Sequence, residues 1–152
     1  MLKPLEIKPN EGLSTLKFGV GMKEVEKVLG LAEKIEKYED LEDCRTVVWH
    51  YWEQGYSLFF DIDFNNQFSS VEIDNKETLL WGKKIFQLKE QEIVALFKNK
   101  GFTEMETEQH EWGEKRLSFD QAIIDFYFEK NKLMAINYGI INQFPEVVIF
   151  PN

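Results

Sequence analysis

The chain has 152 residues, 43% of them hydrophobic and 14% aromatic, and a formal charge of −9 from 27 acidic and 18 basic residues. This length and composition predict a single compact domain, 1–152, whose core needs no disulfide or metal. The negative charge, with Arg45 and Arg116 as the only arginines, argues against nucleic-acid binding, because phosphates repel an acidic surface and are held mainly by arginine.

The first half of the chain predicts an extended start, a short helix and four strands. Residues 5–9 are extended, and Val25, Val28 and Leu29 recur at helical spacing in a helix predicted over 22–29. Gly30 follows at the position of a C-terminal cap. Strands are predicted at 34–38, 46–52, 56–64 and 68–74, and the acidic stretch 39–43 predicts an exposed loop.

The second half repeats this order. A helix is predicted over 89–100, with Ile93, Leu96 and Phe97 on its buried side and Gly101 as its cap. Strands follow at 102–109, 115–119, 123–128 and 132–138. A last extended piece is expected at 147–150.

Apolar positions of the two halves match in order, which predicts internal repeats at about 12–75 and 79–140. Phe18 matches Phe86, and Val25 matches Ile93. The expected fold class is therefore α+β. It is a tandem duplication of a short helix plus a four-stranded antiparallel meander, with the helices packed on one sheet face.

The predicted strand 46–52 is aromatic on both sides. A period of two places Val47, Trp49 and Tyr51 on one face, and Val48, His50 and Trp52 on the other. Either the sheet is buried on both faces, or its open face is an aromatic platform of the kind that binds proteins.

No motif indicates a catalytic centre, a metal site or a cofactor. His50 and His110 lack the neighbouring ligands that a zinc site needs. Cys44 is the only cysteine, and the acids around it oppose activation of its thiol. We therefore expect no enzyme, no cofactor and no metal.

Acidic residues form the second candidate surface. Asp61 and Asp63 alternate along a predicted strand and so share one face. Glu104, Glu106 and Glu108 alternate in the same way near Trp112. These carboxylates are either a solvated face or a contact for a partner rich in lysine and arginine.

The segment from Gly12 to Gly30 contains Gly-Leu, Leu-Lys-Phe-Gly, Glu-Val and Leu-Gly in order, and it resembles a family of small bacterial proteins that have no assigned reaction. The segment from Leu79 to Ile85 and the tail from Val147 to Pro151 resemble that family's second half. Proteins of this kind occur among the immunity proteins of bacterial toxin systems. The predicted architecture also resembles the β-lactamase inhibitor protein, whose sheet binds a protein, although no binding residue can be transferred from it.

Together these features predict a protein-binding module, most specifically an immunity protein that occludes the active or substrate-binding surface of a basic toxin domain. The alternative is a protein that binds or senses a small ligand. The absence of a leader or of a long apolar run predicts a cytoplasmic protein that contacts no membrane. The predicted partner-binding residues are Trp49, Tyr51, Trp52, Asp61, Asp63, Glu104, Glu106, Glu108 and Trp112.

Overall fold

A computed structural model describes residues 2–41 and 44–141. Within them, α1 spans Met22–Leu29 and α2 spans Glu90–Asn99. Gly30 ends α1 at a φ of 81°, and its N–H donates to the Glu26 carbonyl. The N–H of Lys89 donates to Glu92 Oε1 at 2.8 Å and so satisfies a free donor at the start of α2.

Thirteen strands of the described residues form two sheets. The strands are β1 Glu6–Lys8, β2 Gly12–Leu13, β3 Leu16–Lys17, β4 Lys34–Leu41, β5 Cys44–Tyr51, β6 Tyr56–Asp61, β7 Gln67–Ile73, β8 Leu79–Leu80, β9 Lys83–Lys84, β10 Met105–Gln109, β11 Glu114–Phe119, β12 Ile124–Glu129 and β13 Lys132–Gly139. The small sheet has the order β3-β2-β1-β8-β9, and the large sheet has the order β10-β11-β12-β13-β7-β6-β5-β4.

The large sheet consists of two antiparallel meanders that meet where β13 pairs with β7. The small sheet joins the same two halves through the parallel pair β1 and β8. Each half of the chain thus supplies strands to both sheets. The division into repeats at 12–75 and 79–140 stays a prediction.

One hydrophobic core lies between the large sheet and the elements on one of its faces. Val25 of α1 and Phe97 of α2 are fully buried in it. The Phe97 ring stacks on Phe119 of the sheet at 4.2 Å between centroids. Tyr138 of β13 donates from its hydroxyl to the Gly12 carbonyl of β2 at 2.9 Å, which ties the two sheets together. Burial raises the pKa of Tyr138 well above its usual range.

The predicted α+β class, with helices packed on four-stranded meanders, is wrong. The protein is mostly β, with thirteen strands and only two α-helices among the described residues. The two meanders are one eight-stranded sheet, and the small sheet is built from strands of two or three residues. Strands this short show no periodicity, so the sequence pattern could not reveal the second sheet.

Several predicted boundaries also change. The helix at 22–29 is confirmed, but the strand predicted at 56–64 ends at Asp61, and Ile62–Phe64 is a short 3-10 helix. The strand β4 continues to Leu41, into the stretch predicted as a loop. The strand predicted from 102 begins at Met105. The extended piece expected at 147–150 lies outside the described residues.

The junction between the meanders depends on a glycine. Gly139 lies opposite Ser70 in the β13–β7 ladder. A Cβ at this position would come within 2.5 Å of the Ser69 carbonyl oxygen and of the Ser70 Cβ. The two strands can approach each other here only because residue 139 has no side chain.

We predict that Gly139→Ala lowers the free energy of unfolding by about 2 kcal/mol or more, because overpacking must push β7 and β13 apart. Denaturant unfolding measures this change. Gly21→Ala is the matched control, because a Cβ at Gly21 meets no atom within 4 Å. Equal unfolding midpoints for the two variants would contradict this account of the junction.

Candidate functional site

The face of the large sheet opposite the core carries a row of polar side chains, beside apolar ones such as Val48, which is 1% exposed. The strand registers place one residue from each of the eight strands in a continuous line, here called the polar row: Lys34, His50, Ser57, Glu72, Asn137, Asp125, Ser118 and Glu106. A sheet face buried by an apolar layer could not accommodate such a row without a large desolvation cost. Lys34, Glu72 and Glu106 of this row are exposed, whereas Ser57 and Ser118 are only 7% and 2% exposed. This face is here called the open face, because no described helix or strand covers it.

A hydrogen-bonded chain crosses the open face at β4, β5 and β6. His50 Nε2 lies 2.6 Å from Glu36 Oε1, and His50 Nδ1 lies 2.7 Å from Ser57 Oγ. Because a carboxylate only accepts, the proton of the neutral ring belongs on Nε2, and Nδ1 accepts the Ser57 hydroxyl proton. The hydrogen bond from His50 is the main reason that the pKa of Glu36 is lowered.

A second network lies on the other side of the open face, across β10, β11 and β12. Arg116 Nη1 donates to Ser118 Oγ at 2.6 Å, and the Ser118 hydroxyl donates to Asp125 Oδ1. Arg116 Nε also lies 3.4 Å from Glu108 Oε1. Burial raises the pKa of the neighbouring Tyr127, and the negative charge of Asp125 raises it further. The network holds these side chains in fixed positions.

Two exposed tryptophans lie at the same end of the large sheet. Trp52 follows β5 and is 56% exposed, and Trp112 follows β10 and is 73% exposed. Each stacks on a histidine of the open face, Trp52 on His50 at 4.9 Å and Trp112 on His110 at 4.3 Å between centroids. Five strand spacings separate their turns, or about 24 Å.

The aromatic residues predicted from the strand 46–52 divide between the two faces. Trp49 and Tyr51 lie on the core face and are only 7% and 4% exposed, so they present little surface to a partner. Their part in binding stays a prediction. The Tyr51 hydroxyl donates to the Gly30 carbonyl at 2.9 Å. Trp52 is the accessible member of the predicted set. The side chains of β5 alternate between the two faces of the sheet as expected. An aromatic platform was one of the two alternatives for the open face, but this face carries the polar row.

The predicted acidic residues are also separated by the structure. Asp61 ends β6, whereas Asp63 lies in the 3-10 helix and accepts from Arg45 Nε at 3.0 Å. They therefore do not alternate along one strand as predicted. Glu106 and Glu108 lie opposite Ser118 and Arg116 on the open face. Glu104 precedes β10 and is exposed.

The sequence reasoning missed both hydrogen-bonded networks. A signal for the first was present, because a hairpin that turns at Gln54 and Gly55 places His50 opposite Ser57. The second requires the register between β11 and β12, which no turn motif fixes. Glu72 and Asp74 were also missed, because only the pairing of β7 with β6 and β13 brings them beside His50 and Ala135.

Ser57, His50 and Glu36 are the residue types of a serine hydrolase, but their setting differs. Ser57 is 7% exposed and lies within β6, which pairs with both β5 and β7. Its backbone neighbours are engaged in those ladders, whereas an acyl-transfer site needs free N–H donors for an oxyanion. The chain of hydrogen bonds holds the His50 ring between Glu36 and Ser57, and Trp52 stacks on that ring.

Two negative findings concern residues 2–41 and 44–141. No group of three or more His, Cys, Asp or Glu side chains there could hold a metal ion. Neither α1 nor α2 has the length and apolar composition that a bilayer-spanning helix needs.

We predict that the Glu36 carboxylate titrates below the usual range of glutamate and that His50→Phe raises its midpoint. The lowered pKa means that the contact stabilises the fold above the ordinary glutamate pKa and is lost as the pH falls through the folded-state pKa. Carbon NMR of the Glu36 side chain measures the midpoint. Phenylalanine keeps a ring for Trp52 to stack on, and His110→Phe is the control. The same midpoint in both variants would show that His50 is not the cause.

Comparison with known proteins gave no match: no family profile, no curated protein and no solved structure is similar to this chain. The resemblances drawn from the sequence motifs therefore stay predictions. The function is argued from the geometry of the open face.

Proposed function

We propose that this protein is a protein-binding module whose open face contacts a basic protein surface. The observation that supports the proposal best is the polar row, which no described helix or strand covers. Three acids of this row lie in one line across the sheet: Glu72, Asp125 and Glu106.

The size of the open face suits a protein partner. Eight strands at the usual spacing extend over roughly 34 Å, and strands of six residues are roughly 20 Å long. Such a face is on the order of the 800 Å² that each partner contributes to a standard interface. The exposed rings of Trp52 and Trp112 at one end are of the type that dominates binding energy at interfaces.

The charge of the chain favours a basic partner. The protein carries a formal charge of −9, and an acidic face both attracts a basic protein and discriminates against acidic ones. The most specific form of the proposal is a cytoplasmic bacterial immunity protein that neutralises a toxin by occluding its active or substrate-binding surface. In this proposal the protein has no catalytic role of its own.

A small-ligand carrier remains the alternative prediction. Thermal stabilisation by a member of a metabolite panel would favour it. The length of the polar row across eight strands favours the protein partner, because small-molecule sites are usually compact and mostly apolar.

The test is co-expression with the products of the genes next to its own. We expect one basic product to be toxic when it is expressed without this protein, to be neutralised by it, and to form a complex with it. The double variant Glu72→Lys/Glu106→Lys should raise the Kd of that complex about 100-fold or more, because like charges then face each other. Neither Glu72 nor Glu106 forms an ion pair within the described structure, so the change breaks no ion pair there.

Glu11→Lys/Glu24→Lys is the matched control. It makes the same change in net charge at two exposed residues outside the large sheet. The control should change the Kd severalfold at most. The proposal is wrong if no neighbouring product binds, or if both double variants weaken binding equally.

A further inference from the structure

A pocket of about 300 Å³ opens on the open face beside Trp52. It is lined by His50, Trp52, Gly55, Tyr56, Ser57, Glu72, Asp74 and Ala135. Ser57 and Ala135 have small side chains and leave space between the larger ones. Gly55 closes the adjacent turn at a φ of 83°, where a Cβ would come within 2.8 Å of Asn75. The backbone therefore keeps this end of the sheet clear of further side chains.

Two carboxylates at this pocket have no cationic partner among residues 2–41 and 44–141. Glu72 and Asp74 are both exposed, and no described Lys, Arg or His nitrogen lies within 4.0 Å of either carboxylate. Glu72 is in β7 and Asp74 directly follows that strand, and both line the pocket. Two residues of extended chain span about 7 Å. By contrast, Asp125 and Glu108 on the same face are tied to Arg116.

An indole ring forms another wall of the pocket. Trp52 is 56% exposed although His50 stacks on it. The ring is held in place, because His50 is itself fixed between Glu36 and Ser57. A fixed aromatic face beside two carboxylates attracts a planar cation, which can stack on the ring while its N–H groups reach the carboxylates.

We propose that this pocket receives the side chain of one arginine from the basic protein partner. The guanidinium lies between Glu72 and Asp74, and the arginine stem lies against the Trp52 ring. This inference rests on the proposed function and specifies the anchor residue of that interface. Arginine suits the site better than lysine, because its planar fork can contact two carboxylates and stack at the same time.

The test uses two short peptides as probes, acetyl-GGRGG-amide and the same peptide with citrulline in place of arginine. Citrulline keeps the shape of arginine and lacks its charge. We expect the arginine peptide to shift the NMR signals of the Trp52 indole and of the Glu72 and Asp74 amides, with an affinity at least about fivefold higher than that of citrulline. The Trp112 indole serves as the internal reference and should not shift.

Three variants locate the binding. Glu72→Gln/Asp74→Asn and Trp52→Ala should each abolish the shifts, whereas Glu11→Gln/Glu24→Gln, which removes the same charge elsewhere, should retain them. Unchanged amide spectra outside the pocket show that a variant has folded. Equal binding of the citrulline peptide, or shifts that survive Glu72→Gln/Asp74→Asn, would overturn the proposal. That result would leave the complex with the neighbouring gene product intact, so the two proposals fail separately.

Discussion

The pairing of β7 with β13 is the constraint on which the rest of the structure depends. It joins two four-stranded meanders into one sheet, and Gly139 allows the strands to come close enough to pair. Because α1, α2 and the small sheet all pack on one face of this sheet, no helix or strand of the described residues covers its other face. An eight-stranded sheet with a single covered face is large enough to present a partner surface without a separate binding domain.

Hydrogen bonds and ion pairs on the open face give this surface a fixed shape. The chain through Glu36, His50 and Ser57 orients the ring on which Trp52 stacks. The network around Arg116 holds Ser118 and Asp125. A surface whose side chains are already ordered loses less entropy on binding than a surface of free side chains. Between these networks, Glu72 and Asp74 have no cation from the described residues within 4.0 Å, which is why we propose them as the contact for an external cation.

Much of the local structure could be predicted from the sequence, and less of the tertiary arrangement. The helix at Met22–Leu29 follows from its apolar spacing and from Gly30, and the alternation of Trp49 and His50 between two faces follows from the strand period. The predicted fold class is wrong, because strands such as Gly12–Leu13 are too short to show the alternation of apolar and polar residues that marks a strand. The position of Glu72 in a row with Asp125 depends on pairing between β7 and β13, which are far apart in the chain.

Carboxyl footprinting tests the central claim, that the open face is the binding face, most directly. The free protein and its complex with the neighbouring gene product would be labelled with a carbodiimide and an amine, and each carboxylate would be read by mass spectrometry. The account predicts that labelling of Glu72, Asp74 and Glu106 falls severalfold in the complex, while labelling of Glu11 and Glu24 is unchanged. Protection of Glu11 and Glu24, with full labelling of the open face, would contradict it.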